Sequence, residues 1–273
     1  MSRLGTSCAM KLGYFTAISD DEMRFAKDAG FDGVEARYER AIPPTPEALA
    51  RDKSTLERHG LEALTVQWAE NYCDYADPFA VFKDMMRACD VLGARILTMN
   101  AWVPSGLSEH DQYAYYRDLW TRFGEVANDA GIRIGIENCP HGGRNLAATP
   151  VNFERMFETV PNRAIGLEFD PSHFVFEFLD YVSAIREFGD RIYVVHAKDT
   201  QVHHDRLRRV GVNGDDWWRF RMPGYGDVDW KALFVALSDV EYDGDMIIEH
   251  EDPTYPGHEG LRRGAKFLRQ FIL

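Results

Sequence analysis

The sequence predicts a single closed barrel of eight parallel β-strands, each followed by a helix. Eight short apolar runs recur along the chain, separated by segments with the apolar spacing of amphipathic helices. The length of 273 residues accommodates eight such units, which need about 250. Four of the later runs end on an acidic residue or a histidine, at the strand ends that would converge on one mouth of a barrel.

The elements follow in order. The first strand is expected over 11–15 and its helix over 20–29, with Asp20 as N-cap and Gly30 at the end. A second strand, 33–36, carries Glu35, and helix 45–59 stops at Gly60. The third unit is 63–68 followed by 78–92 and Gly93; the fourth is 96–100 followed by 109–130 and Gly131. Strand 132–137 ends on Glu137, and helix 149–159 opens with Thr149 as cap and Pro150 at the first helical position. Strand 165–169 delivers Asp170, with helix 181–188 and Gly189 behind it. Strand 192–195 delivers His196, and helix 230–238 follows much later. Strand 246–249 ends on Glu249, and helix 257–271 closes the chain.

No Pro/Ser-rich linker or compositional break divides the chain, so residues 1–273 are read as one domain. One connection is too long for a barrel loop. Residues 199–229 carry Trp217-Trp218, Arg206, Arg208-Arg209 and Arg219-Phe220-Arg221. Loops of that length in compact domains are usually functional, and the composition predicts a lid over the mouth. A packing or oligomer contact is the alternative.

Composition is ordinary for a globular protein, 45% hydrophobic and 27% charged. A formal charge of −13 argues against a general grip on nucleic-acid backbones, which takes clustered Lys and Arg. Cys8, Cys73, Cys89 and Cys139 are scattered and form no CxxC pair, so neither a zinc finger nor a disulfide scaffold is expected. Residues 1–10 lack the apolar segment of a secretory leader, and no run reaches the ~20 apolar residues of a membrane span. A cytoplasmic protein without a membrane partner is the expectation.

Glu137, Asp170, His196 and Glu249 together offer three carboxylates and one imidazole. Such an oxygen-rich shell with one nitrogen suits a single divalent ion. Mn²⁺ leads, with Mg²⁺, Co²⁺ and Zn²⁺ open. Two carboxylates beside a cation can remove and return a proton α to a carbonyl while the cation offsets the developing enediolate charge. His141, four residues past Glu137, is a candidate general base near neutral pH; a solvent-exposed loop histidine is the bland reading. Glu35 is expected to face the mouth and meet a substrate hydroxyl. Trp68, Trp102 and Trp217 could stack on a substrate face, although aromatic residues in loops more often fill space.

Five motifs taken in order, Ile136-Glu137-Asn138, Asp170-Pro171-Ser172-His173, His196-Ala197-Lys198-Asp199, the 223–230 run PGYGDVDW and Ile248-Glu249-His250-Glu251-Asp252, resemble the sugar phosphate isomerase/epimerase superfamily of xylose-isomerase-like TIM barrels. The resemblance runs over essentially the whole chain. It implies one metal on Glu137, Asp170, His196 and Glu249, with the two glutamates as acid and base on opposite faces of a bound sugar. It also implies substrate contacts for His173 and Arg221. Lys198 is read as a further substrate contact, or else as the partner of Asp199 in an internal ion pair. The family motif does not include position 141.

The expected substrate is a small keto-sugar or keto-glycoside, and a homo-oligomer or a partner subunit is open. The leading expectation is an isomerase or epimerase. The rival within the superfamily is a lyase, such as an inosose dehydratase or the catalytic subunit of a C-glycoside deglycosidase. There, loss of the α proton is followed by β-elimination. The superfamily's abasic-site endonuclease holds three zinc ions, but its extra histidine positions read Gln67, Asn100 and Arg219-Phe220-Arg221 here, so that activity is not expected. A noncatalytic sugar-binding barrel is disfavoured by the intact ligand set.

Overall fold

The computed structural model describes residues 10–140 and 144–272, and contains the eight-stranded barrel. Its strands are β1 (Leu12–Thr16), β2 (Gly33–Tyr38), β3 (Glu62–Trp68), β4 (Ile96–Met99), β5 (Arg133–Glu137), β6 (Ile165–Phe169), β7 (Ile192–His196) and β10 (Asp245–Ile248). They close in the order β1-β10-β7-β6-β5-β4-β3-β2, every neighbouring pair parallel. Parallel strands covered by helices are buried on both faces and so read as apolar runs. β6 and β7 are buried at every position.

The surrounding helices include α1 (Asp20–Ala29), α2 (Pro46–His59), α3 (Pro78–Leu92), α4 (Glu109–Ala130), α5 (Pro150–Thr159), α7 (Tyr181–Phe188), α9 (Trp230–Asp239) and α10 (His258–Leu268). Thr149 caps α5 as expected, its side chain accepting from the Asn152 N–H, with Pro150 at the first position. Two end signals differ from expectation. Ser19, not Asp20, caps α1, because its hydroxyl accepts from the Glu22 N–H and leaves Asp20 inside the first turn. Gly189 has φ −53° and continues into a short 3₁₀ turn, so it does not supply the left-handed stop that Gly30 does at φ 78°.

Two short helices were not legible in the sequence. α6 (Pro171–Glu177) follows β6 directly, and α8 (His204–Val210) lies in the long connection. That connection is a folded excursion. β8 (Asp199–Val202) and β9 (Trp218–Arg221) pair antiparallel, Asp199 opposite Arg221 and Val202 opposite Trp218, with α8 between them. The Asp199 carboxylate anchors the return to the barrel. Oδ1 accepts from the N–H groups of Thr200 at 2.8 Å and Val228 at 3.0 Å. Oδ2 accepts from the Gly224 N–H at 3.0 Å and the Trp230 indole at 2.9 Å. A Cβ on Gly226 would lie 2.3 Å from Asp199 Oδ1, which explains the glycine at this turn. Among the described residues no helix is long and apolar enough to cross a membrane.

Candidate active site

Barrel closure brings the four expected residues together. Glu137 ends β5, Asp170 follows β6 as the N-cap of α6, His196 ends β7 and Glu249 follows β10. One ligand atom from each lies within 4.8 Å of the others. Asp170 and His196 are fully buried, and Glu137 is 8% exposed.

His196 is oriented from below. Its Nε2 lies 2.7 Å from Glu35 Oε2 and 2.9 Å from Glu168 Oε1. Its Nδ1 has no hydrogen bond and faces Glu137 Oε1 and Glu249 Oε2, each at 3.5 Å. This is the arrangement by which carboxylates fix a ligating imidazole and leave its other nitrogen for an ion. Burial disfavours the charged ring, but the charges of Glu168 and Glu35 outweigh it and raise His196 well above its usual value. Burial, and after it the neighbouring Glu35 charge, pushes Glu168 up. An ion on the carboxylates would replace the Nδ1 proton, because a ligating imidazole must present a free lone pair. Three carboxylates and an unpartnered buried imidazole nitrogen therefore fit a divalent cation.

The surrounding groups hold the carboxylates. The Asn138 side chain donates to the Asp170 carbonyl at 2.8 Å and accepts from the Asp170 N–H at 2.7 Å. Asp170 Oδ1 accepts from the Ser172 N–H at 2.7 Å. Asn100 donates to Glu137 Oε2 at 3.3 Å. Burial pushes Glu137 up, yet the neighbouring His173 and His196 rings bring it well below the usual range. The Lys198 charge likewise outweighs burial at Glu249 and keeps it ionised.

His173, 2% exposed, places Nε2 at 3.2 Å from Asp170 Oδ2 and 3.6 Å from Glu137 Oε1. Lys198 reaches the same centre. Its ammonium lies 3.2 Å from Asp170 Oδ2 and from Glu251 Oε2, touches Glu249, and sits 4.3 Å from the Phe220 ring. The expected ion pair with Asp199 does not form, since Asp199 is spent on the turn. Phe220 also meets the His173 ring edge-on at 5.6 Å, so the β8–β9 hairpin stands over the centre.

Several expectations need correction. Glu35 does not face the mouth: it is fully buried beneath His196, with Oε1 accepting from Thr65 at 2.9 Å and also from Thr98. The Arg221 fork is occupied by protein partners, Gln201 at 2.7 Å, Asp252 at 3.1 Å and Thr254, so it ties the hairpin to the segment after β10. Trp68 is a core residue packed on Tyr72 and Tyr75. Trp217 is buried against Phe178 and donates to the Val212 carbonyl. Trp102 stands one step back from the centre. It bridges to Asn145, whose amide donates to the carbonyls of Glu137 at 2.8 Å and Cys139 at 2.9 Å. His141 lies outside the described residues. Glu168 was missed, although it lies in β6 two residues before Asp170, and extended chain puts such residues on one face.

A cleft of about 630 Å³ opens beside Glu249 and Glu251, between β1 and α10. Tyr14, Arg37 and His258 line it.

Residues 23–271 match the family described as xylose isomerase-like TIM barrel. Protein YfiH of Bacillus subtilis is 27% identical over 164 residues, 56% of this chain and 51% of that protein. The chain thus spans about half the length of that relative. Inosose dehydratase of Clostridium perfringens is 23% identical over 249 residues, 83% of this chain and 80% of that enzyme. The structure of an L-ribulose 3-epimerase superposes with a TM-score of 0.73 at 18% identity, covering 96% of this chain and 94% of that one. That likeness is one of fold.

Proposed function

The chain belongs to the xylose isomerase-like TIM-barrel family, and from that membership and its site we propose a divalent-metal-dependent enzyme that removes the proton α to the carbonyl of a keto-sugar. The lead reading is an isomerase or epimerase. One observation carries it: Glu137, Asp170, His196 and Glu249 converge at the strand ends, with the bare His196 nitrogen aimed between the two glutamates. Those four residues would hold the ion, Mn²⁺ first by donor type, with Mg²⁺, Co²⁺ or Zn²⁺ as alternatives. When bound, the ion supplies positive charge beside the carbonyl oxygen as that oxygen gains negative charge.

The chain's own residues do the proton transfer. Glu137 and Glu249 come from strands separated by β6 and β7 and are both held ionised. One takes the α proton and the other delivers a proton to the opposite face. His141 is proposed as an additional base, because a carboxylate shared with a cation is a weaker one. Lys198 and His173 offer donors to substrate oxygens at the centre, and the β8–β9 hairpin acts as a lid that keeps water out through Phe220.

The second reading is β-elimination, favoured by the match to a dehydratase over 83% of the chain. After the same proton loss, the electron pair would form the double bond as the β C–O bond breaks and the oxygen leaves with a proton. Incubating the protein and Mn²⁺ with ketoses, inososes and 3-keto-glycosides in D₂O tests both by NMR. Deuterium at the α carbon of a rearranged sugar supports the lead, and an unsaturated product with released water or aglycone supports the second reading. Finding neither exchange nor an unsaturated product on any member of the panel refutes both.

A further inference from the structure

The metal ligands of the proposed site do not account for every donor gathered at the mouth. Glu137, Cys139 and His173 form a separate set whose ligand atoms all lie within 4.8 Å of one another. Glu137 and Cys139 are two residues apart as the chain leaves β5, and extended chain puts such residues on one side. The Asn145 amide, donating to both of their carbonyls, pins that segment. His173 comes from α6, which Asp170 caps, and its Nε2 is aimed at Glu137 Oε1 at 3.6 Å while the ring is 2% exposed.

The donor chemistry differs from that of the first set. Sulfur, nitrogen and oxygen together are the ligands of Zn²⁺ and similar softer ions, and three protein ligands with an open position is a common form of such sites. The charge balance allows a second ion. Three carboxylates, Glu137, Asp170 and Glu249, gather there around the Lys198 ammonium, and an ion at the first set would displace the His196 proton. We propose that Glu137, Cys139 and His173 form a second metal site, for a thiolate-binding divalent ion such as Zn²⁺ or Co²⁺, with Glu137 shared between the two ions. Loading it would draw Glu137 into a bridging position. The proposal does not depend on the sugar chemistry above; it needs only the sulfur, the imidazole and the carboxylate within reach of one ion.

Metal-free protein titrated with Co²⁺ tests this, with metal content measured after desalting and the near-ultraviolet thiolate-to-cobalt absorption followed in parallel. The wild type should take up two Co²⁺ per chain, one of them with the thiolate band. Cys139→Ser and Cys139→Ala should each take up one ion and show no band, while Cys8→Ser and Cys73→Ser keep both ions and the band. Asp170→Ala should lose the first ion and retain the band, which separates failure of the first site from failure of the second. Circular dichroism identifies a variant that has unfolded, and the second Cys139 substitution then decides. No thiolate band in the wild type, whatever the number of ions bound, or a band that persists in both Cys139 variants overturns the proposal.

Discussion

Replacing Glu35 by glutamine should weaken Mn²⁺ binding while sparing the ion-free fold. Glu35 Oε2 lies 2.7 Å from His196 Nε2, and Oε1 accepts from the Thr65 and Thr98 hydroxyls. In the glutamine variant the amide oxygen is best placed toward the two hydroxyls, which turns the amide NH₂ toward Nε2. A donor facing an N–H is unfavourable, so the ring moves its proton to Nδ1 or rotates, and either change spoils Nδ1 as a ligand. Changes of this kind behind a ligating histidine typically cost 10–100-fold in affinity, which is about 1.4–2.7 kcal/mol. The ion-free protein, in contrast, loses a desolvated buried charge and keeps Glu168 as a partner for Nε2, so its melting temperature should hardly fall. Competition titration of Mn²⁺ against a chelator gives the affinity, and thermal melts in excess chelator give the stability. Unchanged Mn²⁺ affinity in a folded variant would refute the assignment of Glu35 as the residue that orients His196.

Asp170→Ala and His196→Ala should each lose bound Mn²⁺ by elemental analysis while retaining the far-ultraviolet dichroism of the barrel, because residues at strand ends contribute little to its core. Full metal occupancy in either would remove it from the ligand set. Changing Trp217 and Trp218 together to alanine should raise KM or lower kcat without altering metal content, since these rings pack the hairpin on Phe178 and Phe176; unaltered kinetics would make the hairpin a packing element. Asp252 is pushed up by burial but brought below its ordinary value by the N–H groups of Thr254 and Met222 and by Arg221. The stabilisation from a depressed carboxylate is fully present above the ordinary range near pH 4 and is lost as pH falls through the lower native value. Amide exchange in the hairpin should therefore accelerate in acid below about pH 4, and Asp252→Asn should show fast exchange already at neutral pH. Equal protection in the two proteins at neutral pH would count against the tie.

The sequence determined the barrel because its signals are local. Apolar runs, helix periodicity and caps such as Thr149-Pro150 depend on neighbours a few residues away, and eight repeats of them admit few architectures. The four converging residues were legible for the same reason, since each marks the end of its own strand and a barrel gathers those ends. Residues 199–229 were misread as a loop because their strands have four residues each and find their pairing only with one another, across α8. What lies beneath and around the centre was decided by closure alone. Glu35 and His196 are 161 positions apart, and no local pattern distinguishes a glutamate that points down at an imidazole from one that points up at solvent. Lys198 was free to pair with Asp199 next to it, yet the turn took Asp199 and the carboxylates from β6 and β10 took Lys198. A buried charge settles where the assembled structure offers opposite charge and hydrogen bonds, and that offer exists only once strands distant in sequence have become neighbours.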